Sequence, residues 1–274
     1  MVVDSNVLND PILEQFLLKS KNNKAVLIDF AQIEAVKAVN LNMLRERIEP
    51  LSKYASQVII LKSTKLVSGM SGRTKGLKRR LVDPKQTKDF LAFCKQLNGN
   101  ATIDITQQNL IMRGAGETKT YLDKMNANLC DFIQHYEEFE KKFTSNEILE
   151  IRKTGYPSTS AIKKLFTLIS GVSGEVFRKH PNAHKWPKNH EWPNHFIYRR
   201  TVFNFIHFLE WIKKGSPKNM KIDRIQNDMI DITFCSYATY FDGLLTKDKK
   251  CHKTFIAGND MLKNILIPAL EARK

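Results

Sequence analysis

Residues 25–37 read AVLIDFAQIEAVK, and the change of pattern inside this stretch decides the fold class. AVLIDF (25–30) is a nearly unbroken apolar run, the signature of a strand buried on both faces of a sheet. It passes at once into AQIEAVKAV and then LNMLRERIEPLSKYA, which are helical in composition and spacing. QVIILKS (57–63) reads as the next strand. Upstream, residues 2–8 (VVDSNVL) read as a strand and DPILEQFLLKS (10–20) as a short helix, with Asp10 as its cap and Pro11 at its first position. KNNK (21–24), between that helix and the strand at 25, is a turn. Strand, helix, strand, helix, strand at this spacing predicts a parallel α/β sheet.

Beyond the third strand, SGMSGRTKGLKRRLVDPKQ is rich in Gly and basic residues and reads as a loop. The chain from about 85 to 215 reads as mostly helical, with segments near 86–97, 119–153, 158–170 and 196–214. NDMIDITFCSYATYF (227–241) reads as a helix, DGLLTKD as a short strand ending in a polar turn, and MLKNILIPALEARK as a last strand or helix. The expected organisation is one domain over 1–274. Its α/β core comes from 1–65 and 220–274, and a mostly helical insertion occupies 66–219.

Composition narrows the class of function. With 42% hydrophobic residues the 274-residue chain can bury a real core. No apolar run approaches the ~18 residues of a membrane span, and the start lacks the basic-then-apolar layout of a secretory signal. A cytoplasmic protein with no membrane partner is expected. Lys and Arg number 44 against 28 Asp and Glu, a net charge of +16. A surplus of this size reads either as solubility charge spread over the whole surface or, the favoured reading, as an electrostatic footprint for phosphate backbones. Cys94, Cys130, Cys235 and Cys251 form no CxxC pair, which argues against a disulfide framework and a zinc finger.

Against this basic background, acids recur where predicted strands end or the following helices begin. Asp4 ends the first strand, Asp29 ends the second, and Glu34 follows in the first turn of the next helix. Asp228 and Asp231 lie three apart and share a helix face. Asp242 opens the GLLT strand and Asp248 closes it. Strand ends of a parallel sheet share one edge, so acids placed there can converge on one crevice. Gathered carboxylates repel each other unless a cation neutralises them, and hard oxygen ligands suit Mg²⁺ or Mn²⁺. Two such ions can hold a scissile phosphate and activate water for in-line attack. Each acid alone also has a bland reading. Asp4 can cap a turn, Glu34 can complement a helix dipole, Asp228 can cap a helix and Asp248 can sit in a turn.

VVDSNVL (2–8) resembles the opening strand of the PIN-domain family of Mg²⁺/Mn²⁺-dependent nucleases, which reads apolar-apolar-Asp-Ser/Thr-Asn-apolar-Leu. AVLIDFAQIEAVK (25–37) is similar to the family's second strand and following helix, and NDMIDITFCSYATYFDGLLTKDKK (227–250) to its last part. The resemblance covers about the first 65 residues and the last 60 or so. It implies a PIN-like α/β fold in which Asp4, Glu34, Asp231 or Asp228, and Asp248 hold the metal. Ser5 and Asn6 would position Asp4, and Thr246 is the hydroxyl beside Asp248. Asp29 and Asp242 have no fixed place in that pattern and read either as supports behind the ligands or as structural acids, and Asn227 as a further support. Hydrolysis would use activated water, with no covalent intermediate.

GRTKGLKRR (72–80) gathers Arg73, Lys75, Lys78, Arg79 and Arg80, which read as either phosphate contacts or a solvated loop. HPNAHKWPKNHEWPNH (180–195) fits no helical metal motif and reads as an aromatic-anchored loop, with Trp186 and Trp192 as possible stacking surfaces for bases. RGAGE (113–117) is too short for a phosphate-binding loop. IYRRTVFNFIHFLEWIKKG (197–215) reads as a core helix. The expectation is a metal-dependent ribonuclease whose partner is RNA. The rivals are a nucleic-acid-binding protein without catalysis, a DNA nuclease of the same fold, and a small-molecule phosphohydrolase. Homo-oligomerisation and a protein partner both stay open.

Overall fold

The computed structural model describes residues 1–36, 41–98, 129–180, 187–215 and 221–271. Four short parallel strands make one sheet, β1 (Val2–Val3), β2 (Ala25–Leu27), β3 (Val58–Ile60) and β4 (Leu244–Leu245), in the order β3-β2-β1-β4. The register aligns Val2 with both Val26 and Leu244, and Ala25 with Val58. Every residue of β1, β2 and β4 is buried, as in sheets covered on both faces. The chain is therefore α/β with a parallel sheet and flanking helices.

The strands are shorter than the sequence suggests. β1 stops at Val3 because Asp4 leads into a 3₁₀ turn, Ser5–Val7. β2 stops at Leu27, and Asp29 is already the first residue of α2 (Asp29–Val36) rather than the end of a strand. α1 (Pro11–Leu18) starts as its sequence predicts: the Asp10 side chain accepts from Ile12 N at 3.0 Å, with Pro11 next. α3 (Leu41–Lys53) buries Leu44, Ile48 and Leu51, one stripe at helical spacing. The buried Gln57 carboxamide reaches the carbonyls of Leu17, Ser20 and Asn23 at 2.9–3.1 Å, which fixes the turn between α1 and β2.

The basic stretch expected as a loop contains a helix. After α4 (Thr64–Ser68), α5 spans Leu77–Leu81 and hides inside a charge run because only Leu77 and Leu81 are apolar. Val82 then bridges antiparallel to Leu61 beside β3, and α6 runs Pro84–Asn98. The tail is helical, not a strand: Lys249–Met261, a π turn at Leu262–Leu266, and Ile267–Glu271. RGAGE, Trp186, and 119–128 of the expected helix 119–153 lie outside the described residues.

Two compact units divide the chain. The first takes the described residues of Met1–Val67, Lys75–Leu122 and Tyr237–His252, and so holds the whole sheet. The second takes those of Ser68–Thr74, Asp123–Ser236 and Lys253–Lys274. Its core is built on the helix Phe196–Lys214, packed by Thr159–Lys179 and Ser145–Thr154. Phe208 lies at the centre of an aromatic cluster, with ring centroids 5.0 Å from Tyr136 and 5.7 Å from Phe143. The Ser145–Thr154 helix opens on a full capping box between Thr144 and Glu147.

Candidate active site

The strand order places a reversal between β1 and β4. From β1 the chain adds β2 and then β3 on one side, and β4 joins β1 on the other. Such a switch point opens a crevice at the carboxyl ends of the two strands, the usual ligand position in parallel sheets. Asp4 is the first residue past β1 and Thr246 the first past β4, with Asp4 N donating to Leu245 O at 3.0 Å.

The Thr246 hydroxyl donates to Asp4 Oδ2 at 2.6 Å. It accepts from Asn6 Nδ2 at 3.2 Å and from Asp248 N at 3.0 Å. One donor and two lone pairs are all that a hydroxyl has, so Thr246 is saturated. Asn6 Oδ1 accepts from Lys247 N at 3.2 Å, which ties the turn after β1 to the turn after β4 a second time. Ser5 Oγ donates to Asp4 Oδ1 at 3.4 Å. Lys247 Nζ reaches Asp10 Oδ2 at 2.6 Å, a pairing that sequence reading missed.

Asp4 is buried. Burial pushes its carboxyl above the ordinary carboxylate range, opposed by the hydrogen bonds from Thr246, Ser5 and Asn6. A positive charge beside it would stabilise the ionised form. Asp248 is exposed and caps the Lys249–Met261 helix through Oδ1, which accepts from Lys250 N at 2.6 Å and Cys251 N at 2.9 Å. Its Oδ2 accepts from no described residue. Glu34 is half-buried on α2, and α2 packs against the Ser5–Val7 turn. Arg47 Nη1 donates to the Glu34 carbonyl at 2.5 Å, which anchors α3 to α2.

Asp29 repeats the Asp4 arrangement one strand along. Thr64, past the end of β3, donates to it through N at 2.7 Å and Oγ1 at 2.8 Å, and Phe30 N adds a bond at 3.1 Å. Tyr237 OH donates to Thr64 Oγ1 at 3.3 Å. Burial raises the Asp29 pKa, with the Thr64 bonds opposing. Both Asp29 oxygens are thus engaged by protein. A Thr at the end of the neighbouring strand is the sequence signal for this pairing.

Asp242 precedes β4, at the edge of the sheet opposite Asp4, and its carboxylate faces Lys78 Nζ at 3.7 Å. Asp228, Asp231 and Asn227 belong to the second unit, on the helix Ile222–Ala238. Asp228 does not open that helix. It is buried within it, accepting from Trp211 Nε1 at 3.3 Å with His207 Nε2 at 3.9 Å. Asp231 is half-buried and Asn227 exposed. In the basic stretch Arg73, Lys75, Lys78 and Arg79 are exposed and Arg80 is half-buried. Gly72 N donates to His195 Nε2 at 3.0 Å, and a side chain at Gly72 would overlap the His195 ring. Trp192 is buried with Nε1 bonded to Pro187 O at 3.0 Å, so it belongs to the core and offers no stacking face.

Among the described residues no three His, Cys, Asp or Glu side chains gather closely enough to hold a metal ion. Asp4 and the outer oxygen of Asp248 nevertheless match a hard cation in donor type. Mg²⁺ commonly takes only one or two carboxylates, with water and phosphate completing its shell. No helix among the described residues is long and apolar enough to cross a membrane. No protein-family model, curated protein or solved structure matches the chain.

Proposed function

We propose that this chain is a Mg²⁺- or Mn²⁺-dependent nuclease acting on RNA, with a PIN-like core and a helical insertion over 66–219. The single observation that carries the reading is the hub at the switch point. A buried carboxylate, Asp4, is held in one orientation by a saturated Thr246 hydroxyl beside a second, exposed carboxylate. The VVDSNVL resemblance and the net charge of +16 support it independently.

In this reading Asp4 and Asp248 are the first unit's ligands, and Glu34 lies on α2, the helix packed against the Ser5–Val7 turn. A bound divalent ion supplies charge neutralisation at the scissile phosphate and a nucleophile at neutral pH. The protein's own part is positional. Thr246 and Asn6 hold the Asp4 carboxylate against rotation, and the helix after Asp248 fixes that acid through its capping oxygen. Basic surface draws the phosphate backbone in and sets its position without reading sequence.

A second reading, nucleic-acid binding without hydrolysis, is favoured by one observation. Asp248 Oδ1 and both Asp29 oxygens are already engaged by protein donors, so few carboxylate lone pairs face outward. Incubating purified protein with labelled RNA and DNA, with Mn²⁺ or with EDTA, separates the two. Cleavage that needs metal supports the nuclease. Retention of nucleic acid without cleavage, across substrates and metals, supports the binding protein.

A further inference from the structure

The first unit contains a pocket of about 580 Å³ at the amino-terminal edge of the sheet, the edge opposite Asp4. Val26 of β2 and Ile59 of β3 line it, together with Phe16 and Phe241. Both rings are half-buried, so each keeps an exposed surface. Lys24, Lys78 and Arg79 also line it, with Asn22, Asn23 and Asp242, and Asn23 Nδ2 already donates to Phe16 O at 2.6 Å.

The cations are not equally committed. Lys24 Nζ gives one hydrogen bond to Ser56 O at 3.2 Å, which leaves two of its three protons for other acceptors. Among the described residues Lys78 has one loose, exposed pair, with Asp242 at 3.7 Å. Arg79, which also lines the cavity, makes no side-chain hydrogen bond or ion pair with another described residue. α5 sets Lys78 and Arg79 on adjacent positions, and the Val82 bridge to Leu61 and the Asp83 N bond to Ile60 O (2.9 Å) fix α5 beside β3.

A ligand that uses all of these features needs a flat apolar body, polar edges for the two carboxamides and an anion for the guanidinium. Inorganic phosphate would leave the aromatic walls unused. A long acyl chain would strip water from Asn22 and Asn23 without replacing their hydrogen bonds. A nucleotide meets every requirement, with its base against a ring, its edges on the carboxamides and its phosphate on the cations. The volume lies within the usual range for small-molecule sites.

We propose that this pocket binds a nucleoside monophosphate moiety, either free or as one residue of a single strand, with Arg79 and Lys78 on its phosphate. This goes beyond the hydrolytic reading, because the pocket lies at the other edge of the sheet and needs neither metal nor Asp4. The test is an NMR titration of the full chain in EDTA with uridine and adenosine 5′-monophosphates, the parent nucleosides, inorganic phosphate and a short single-stranded RNA. The monophosphates or the strand should shift resonances of the pocket residues. A tighter monophosphate identifies the free nucleotide as source, and a tighter strand identifies a strand residue. Arg79→Ala and Lys78→Ala, both at exposed side chains, should each weaken that binding about tenfold or more, and Asp4→Asn should leave it unchanged. The proposal is overturned if neither ligand perturbs the pocket, if inorganic phosphate binds as well as the monophosphates, or if both variants bind as wild type.

Discussion

Thr246 Oγ1 stands 2.6 Å from Asp4 Oδ2 although the two residues are 242 positions apart in sequence. The bond joins the first residue past β1 to the first past β4, so it closes the sheet at its switch point. Replacing Thr246 by Val removes the donor to Asp4 and the acceptor for Asn6 and Asp248 N at once. Thr246→Val should cost about 1–3 kcal/mol in a urea-denaturation experiment. It should also lower metal-dependent cleavage about 10–100-fold, and Thr246→Ser should recover most of the loss.

Asp4 and Asp29 offer an internal comparison under pH. Burial raises both pKa values, so the folded chain holds these two protons more tightly than the unfolded chain does. Their contribution to stability is therefore fully present below the unfolded value of about 3.9. It is lost as pH rises through the raised folded values. Carbon-13 carboxyl NMR should show both acids titrating above the ordinary range. Added Mg²⁺ should shift the Asp4 titration downward and leave that of Asp29, whose oxygens are taken by Thr64 and Phe30, in place. A shift at Asp29 alone would move the candidate site one strand along.

Gly258 gives a stability prediction that does not depend on function. A Cβ at this position on the Lys249–Met261 helix would overlap the ring of Phe203, which is fully buried and cannot swing aside. Gly258→Ala should therefore destabilise the second unit by about 1–3 kcal/mol, despite the better helix propensity of Ala. A rise in melting temperature would contradict this.

The sheet and its acids were legible because the signals are local. The apolar run Ala25–Ile28 marked a doubly covered strand, Asp10-Pro11 marked a helix start, and Asp4 and Thr246 each follow a short apolar pair that reads as strand. What sequence left unread depends on partners far along the chain. The Asn6 and Lys247 turns hold each other, and nothing near either position announces it. Asp228 was readable in part. Ile225, Met229 and Ile232 are the buried stripe of their helix, and Asp228 falls on it, so its spacing already placed it inward. Its partners Trp211 and His207, from another helix, could not be inferred. Lys78 and Arg79 were visible as charge, but the pocket they line needs β2, β3 and the segment before β4 brought together.

The central claim is that Asp4 holds a catalytic cation at the switch point, and Asp4→Asn tests it most directly because the change keeps the side chain's shape and one acceptor oxygen for the Thr246 hydroxyl while removing the charge. Cleavage of labelled single-stranded RNA is measured with Mn²⁺, with Mg²⁺ and with EDTA, alongside retention of the same RNA in EDTA. The account predicts metal-dependent cleavage by the wild type, none by Asp4→Asn, and equal retention by both. Cleavage by Asp4→Asn at the wild-type rate, or a wild type that retains RNA and never cuts it with either metal, would contradict it.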